Sequence, residues 1–152
     1  MTVEQIIKKG LMKTIERLFD LDKFKFYSIY IEQDVIENIM LLAKENYPKE
    51  FLAFLDGQIK NKKLVITGLV YQEYYASDMS ATPIFHFADK SFYGSIHSHP
   101  GLSNRPSSAD KEFFGKIGVV NAIICKPYLQ ENIRFYNHEG EEINVEVLQK
   151  EI

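Results

Sequence analysis

The sequence predicts a single domain of α/β or α+β class, a mostly antiparallel sheet flanked by helices. Three observations lead there. Apolar residues recur at helical spacing in two segments before Pro48 and take on strand character after it. The later apolar runs are short and separated by polar turn segments, with one helical stretch among them. At 152 residues the chain suits one compact domain and is too short for two ordinary ones, and it has no repeat, low-complexity tract or interdomain linker.

Residues 2–19 read as an amphipathic helix, because Ile7, Leu11, Ile15 and Leu18 recur at helical steps among Lys8, Lys9, Lys13 and Arg17. Such a helix caps a sheet or joins a core; the sharper alternative is dimerisation, which makes a homodimer one expectation. Phe24 to Ile31 is aromatic and β-branched and reads as a strand. A second helix is expected over Gln33–Asn46, with Val35, Ile36, Ile39, Met40 and Ala43 on one face. It ends at Asn46-Tyr47-Pro48, since the residue before proline is pushed out of the helical region. Phe51–Leu55 and Lys63–Tyr71 form a hairpin whose polar connection, 56–62, reads as a longer loop. Residues 76–83 are small and polar and read as a loop. Strands are expected near 84–87 and 92–97, then a turn-rich loop from Pro100 to Pro106, then a short helix opened by Ser107 and reaching about Lys116. Three strands near 118–125, 130–136 and 142–148 close the chain, the last turn lying at Asn137-His138-Glu139-Gly140.

Composition narrows the function. A hydrophobic fraction of 45% and a charged fraction of 26% are those of a soluble globular protein. The net charge of −3 gives no positive field to draw nucleic acid or an anionic membrane, and the lysines at 8–9 and 60–63 are short solvated faces. A lone Cys125 excludes a disulfide framework and cysteine-rich zinc modules. Within its apolar strand it reads as a small buried hydrophobe rather than a catalytic thiol. The start carries no apolar leader region, and no stretch approaches the ~20 apolar residues of a membrane span, so a cytoplasmic location is expected.

The chemistry concentrates in residues 94–110. His97 and His99 stand two residues apart at a strand end, so both imidazoles point to one face and one ion could accept both. Ser107 and Asp110 lie one helical turn apart at a helix start and could address the same ion. Two histidines and a carboxylate leave a fourth tetrahedral position open, the layout of a catalytic zinc, one per chain. Taken singly, each part has an ordinary explanation: a His-x-His pair arises by chance, and Ser107-x-x-Asp110 resembles a capping box. The conjunction at fixed spacing is what carries the reading. His86, alternating with Phe85 and Phe87, reads as solvent-facing, and His138 as a turn residue.

His97-x-His99, seven residues, Ser107, two residues and Asp110 match without a gap the JAMM signature of the MPN+ zinc metalloproteases, which this chain therefore resembles. The family also has an upstream glutamate, and Pro48-Lys49-Glu50-Phe51-Leu52-Ala53-Phe54-Leu55-Asp56-Gly57 fits its context, with Ala53 where a glycine is usual and Phe54 where an aliphatic is. The resemblance covers about residues 27–140. It implies a single MPN domain over residues 25–152, with a curved sheet and a cytidine-deaminase-like core; the expected N-terminal helical extension over residues 1–24 lies outside the resemblance. It further implies that His97, His99 and Asp110 hold zinc, that Glu50 acts as general base, and that Ser107 donates to the oxyanion. The implied activity is isopeptide hydrolysis after the C-terminal Gly-Gly of a ubiquitin-like protein. The alternatives are C-terminal trimming of a sulfur-carrier protein and a non-catalytic scaffold, against which the complete set of five residues argues. An extended Gly-Gly tail would add to a sheet edge, and the small residues 76–82, Ser80 and Ala81 among them, are the candidate wall of its groove.

Overall fold

The computed structural model describes residues 2–5, 7, 28–71 and 92–150. The first of these segments is helical at 3–5 and 7, and Thr2 and Gln5 cap it reciprocally, side chain to main-chain N–H in both directions. The remainder of the expected N-terminal helix, the strand near 84–87, Ser80, Ala81 and His86 lie outside the described residues.

The described elements are β1 (Ser28–Glu32), α1 (Gln33–Asn46), β2 (Leu52–Lys60), β3 (Lys63–Tyr71), β4 (Gly94–Ser98), α2 (Ser108–Ile117), β5 (Val120–Ile124), β6 (Ile133–Tyr136), β7 (Glu142–Ile143) and β8 (Glu146–Leu148). The strands form one mixed sheet in the order β7-β6-β5-β4-β2-β3-β1-β8. Pairings β2–β3, β2–β4, β5–β6 and β6–β7 are antiparallel, and β1–β3, β1–β8 and β4–β5 are parallel.

Helix α1 occupies its expected span. Its apolar stripe, Val35, Ile36, Ile39 and Ala43, is buried, while Asp34 in the first turn and Lys44 in the last suit the helix dipole. Tyr47 leaves the helix with extended backbone angles ahead of Pro48, as the pre-proline clash requires.

Two readings of the sequence need correction. Residues 56–60 belong to β2 rather than to a loop, and only Asn61-Lys62 turn the chain. Both have positive φ, 52° and 62°, the conformation of a two-residue hairpin turn whose twist matches the flanking strands. The polar residues of this stretch sit on an exposed face while their backbone groups pair with β3, past an irregularity between Asp56 and Gly57. The expected strand 142–148 is two strands: β7 pairs with β6, β8 with β1, at opposite ends of the sheet order. Only residues 144–145 join them, a reach of about 10 Å at the rise of an extended chain. The sheet is therefore curled until its two edges nearly meet.

The sheet covers an apolar cluster on each face. On one side α1 packs with Ala53 and Leu55 of β2, Ile96 of β4 and Val120, Ala122 and Ile124 of β5. On the other, Phe114 of α2 packs with Ile123 and Tyr136. Alternation along β4 places Ile96 on the first face and Ser95 and His97 on the second. Every residue of β4 and β5 is buried, and their contact is so close that a Cβ on Gly94 would overlap the Val120 carbonyl. This sandwiching of the central strands brings His97 under the N-terminal end of α2.

Candidate metal centre

His97 projects from β4 toward α2 and is 7% exposed. His99 follows immediately beyond the strand, on the same side. Asp110 approaches both from the first turn of α2. His97 Nε2 lies 3.2 Å from His99 Nε2 and 3.1 Å from Asp110 Oδ1, and His99 Nε2 lies 3.1 Å from Asp110 Oδ2. Among the described residues this is the one group of three metal-capable side chains whose ligand atoms converge. The spacing is informative. Ligand atoms about 2.0 Å from a tetrahedral ion stand about 3.3 Å from one another; the His97–His99 edge is 3.2 Å, and each histidine lies 3.1 Å from a different oxygen of Asp110.

Hydrogen-bond accounting favours a cation at this point. His99 Nδ1 lies 2.9 Å from the Ser103 carbonyl, which can only accept, so the proton belongs on Nδ1 and the lone pair on Nε2 faces the cluster. That lone pair then meets a carboxylate oxygen. Burial pushes the Asp110 carboxyl upward, but hydrogen bonds from His97 and from the Ser107 main-chain N–H outweigh it and hold the group well below the usual carboxylate range. The His99 Nε2 lone pair and the Asp110 carboxylate converge beside His97 Nε2, a donor set that a divalent cation can neutralise. Nitrogen and oxygen donors without thiolate suit zinc.

Ser107 is the N-cap of α2. Its Oγ accepts from the Asp110 N–H at 3.1 Å, and its own N–H donates to Asp110 Oδ2 at 2.8 Å. The capping box expected from the spacing is therefore present, and it aims the Asp110 carboxylate at the histidines. The two roles are compatible, because the hydroxyl oxygen accepts from the backbone while its hydrogen stays available to donate.

Glu50 is exposed and precedes β2. The register pairs Leu52 with His97, and Phe51 and Ser98 extend it: the Phe51 N–H donates to Ser98 Oγ and the Ser98 N–H to the Phe51 carbonyl. The ladder ends there; Glu50 stands two residues before Leu52, the residue paired with His97. Its carboxylate is not one of the three converging ligands. Cys125 is 3% exposed and burial pushes its thiol up, in keeping with its reading as a buried hydrophobe. His138 sits in the turn between β6 and β7.

The sequence did not single out the residues that hold the loop between His99 and Ser107. The Tyr128 hydroxyl donates to the His99 carbonyl at 3.1 Å and the Tyr136 hydroxyl to the Asn104 carbonyl at 2.7 Å. Asn104 Nδ2 in turn donates to the Asn132 carbonyl at 3.0 Å. These contacts link positions about thirty residues apart, and no local pattern in the chain signals them.

A curled mixed sheet whose central strand presents His-x-His to an aspartate at a helix N-terminus defines the class of JAMM metalloprotease-like domains. The chain belongs to the Prok-JAB family, the prokaryotic homologs of the JAB domain, whose model matches residues 32–139. A probable metalloprotease of Haloferax volcanii is 30% identical over 136 residues, 80% of this chain and 81% of the relative. Two solved structures superpose with a TM-score of 0.63. One is a JAB1/MPN domain protein from Archaeoglobus fulgidus, 29% identical, covering 78% of this chain and 98% of its own. The other is described as JAMM, a metalloprotease-like zinc site in the proteasome and signalosome; it is 30% identical and covers 80% of this chain and 98% of its own. Among the described residues, no helix is long and apolar enough to cross a membrane.

Proposed function

We propose that this chain is a zinc-dependent isopeptidase that hydrolyses the bond following the C-terminal Gly-Gly of a ubiquitin-like protein. The observation that carries the reading is the convergence of His97, His99 and Asp110 at 3.1–3.2 Å, with Ser107 at the same helix start. A scaffold domain has no use for this full set.

His97, His99 and Asp110 would hold the ion, and zinc bound there would supply Lewis acidity and a water whose proton is lost near neutral pH. Glu50, on the exposed side of the site, accepts that proton and returns it to the departing amine. Ser107 Oγ, anchored by the Asp110 N–H, donates its hydrogen to the oxyanion of the tetrahedral intermediate. His99 keeps one tautomer throughout because Ser103 fixes its Nδ1–H. Ser80 and Ala81 are proposed as part of the groove for the extended Gly-Gly tail, and bulky substitutions there should slow cleavage.

The test is zinc-loaded protein incubated with a ubiquitin-like protein joined through Gly-Gly to a lysine side chain, beside Glu50→Gln. Release of the free lysine amine by the wild type alone supports the proposal. Cleavage confined to a linear C-terminal extension would replace it with a trimming peptidase of sulfur-carrier type. A zinc-loaded wild type inert on both substrates would refute it.

A further inference from the structure

The segment from His99 to Ser107 has neither helix nor strand, yet it carries one of the converging ligands and the cap that aims another. Something must fix it, because metal affinity depends on ligand atoms being held in place before the ion arrives. Its tethers come from one stretch of chain, the end of β5 through β6. The His99 N–H donates to the Ile124 carbonyl at 2.8 Å, and the Lys126 N–H to the Gly101 carbonyl at 3.0 Å. Asn104 Nδ2 donates to the Asn132 carbonyl. The remaining tethers to this loop include two phenols.

Tyr136 is 4% exposed and touches both flanks of the centre. Its ring stacks on Phe114, centroids 6.0 Å apart, and Phe114 in turn lies 6.1 Å from the His97 ring. Its hydroxyl donates to the Asn104 carbonyl. Tyr128, 5% exposed, binds the carbonyl of His99 itself.

We infer that Tyr136 and Tyr128 are positioning residues of the metal centre: their hydroxyls clamp the His99–Ser107 loop, and Tyr136 also backs His97 through Phe114. The inference rests on the reading that His97, His99 and Asp110 bind zinc. It adds that the site is preorganised by hydroxyls that never meet the ion. Removing a hydroxyl while keeping its ring should therefore loosen the loop and weaken binding.

The experiment is zinc titration of the full chain against a chromogenic chelator, with the visible spectrum of the cobalt(II)-substituted protein as a second readout. Tyr136→Phe should bind zinc about 10-fold more weakly and change the cobalt spectrum, and Tyr128→Phe should shift both in the same direction. Tyr71→Phe, which removes a hydroxyl bonded to Asn46 in another part of the fold, should change neither. Wild-type zinc affinity and cobalt spectrum in Tyr136→Phe would overturn the inference, even if the metal-free variant melts earlier, since that outcome marks a merely structural tyrosine. A wild type that binds no zinc would instead overturn the reading beneath it. If Tyr136→Phe does not fold, Tyr128→Phe and Asn104→Ala test the same clamp from its two other contacts, and unchanged affinity in both would overturn it.

Discussion

The two faces of the sheet bury apolar clusters of different make and use. Beneath α1 the side chains are mostly aliphatic, Ile31, Val35, Ile36, Ile39, Leu64 and Ile66 among them, each at most 2% exposed. Beneath α2, among the described residues, Phe114, Ile123 and Tyr136 form the apolar cluster, and the Phe114 ring lies 6.1 Å from that of His97. The first cluster is large enough to hold the domain together through area alone. Among the described residues the second is the smaller. Its value is orientation: rings stack at defined angles, and Tyr136 adds a directed hydrogen bond. Stability and metal chemistry are thus separated across one sheet, with β4 and β5 serving both faces.

That separation can be broken deliberately. The largest effect is expected at the site itself. Glu50→Gln should lower turnover by about 10²–10⁴-fold while zinc content, by elemental analysis, stays at the wild-type level. Loss of zinc in that variant would make Glu50 a ligand and contradict its assignment. On the opposite face, Ile39→Ala should cost about 2–5 kcal/mol in denaturant unfolding, because a fully buried side chain leaves a cavity under α1. Zinc affinity of the folded fraction should not move; a parallel fall would mean the two faces are coupled.

The histidine pair was legible because strand period alone puts His97 and His99 on one side, and Ser107 with Asp110 because a cap and its third residue have fixed spacing. Both are local rules, and both hold in the structure. Glu50 carries no local signal, and only the family context points to it; the strand pairing that precedes the site joins Leu52 and His97, residues 45 positions apart. The polar run 56–60 reads as a loop in sequence because exposure and irregularity share one polar signature, while here β3 satisfies its backbone. Residues 142–148 looked like one strand because their pattern is continuous, and only the closure of the sheet divides them. Tyr128 and Tyr136 were invisible for a similar reason, since their acceptors lie 29 and 32 residues upstream.

Smaller effects sharpen the comparison further. Ser107→Ala removes a helix cap, worth about 1 kcal/mol in thermal or denaturant unfolding, and an oxyanion donor, worth about 10²-fold in kcat. A variant that loses the stability but keeps its turnover would reduce Ser107 to a cap. Smallest of all is Asp34→Asn, which breaks the surface pair with Lys150 at the start of α1. Exposed pairs contribute little, so its melting curve should overlay the wild type.

The claim on which the rest depends is that three side chains from a strand end and a helix start hold one zinc. Its most direct measurement is metal content of the full chain after zinc reconstitution and desalting, beside a His97→Ala, His99→Ala double variant that retains its secondary structure. One zinc per wild-type chain and none in the variant is the predicted result. A wild type that emerges without zinc, or a variant that keeps it, would contradict the account.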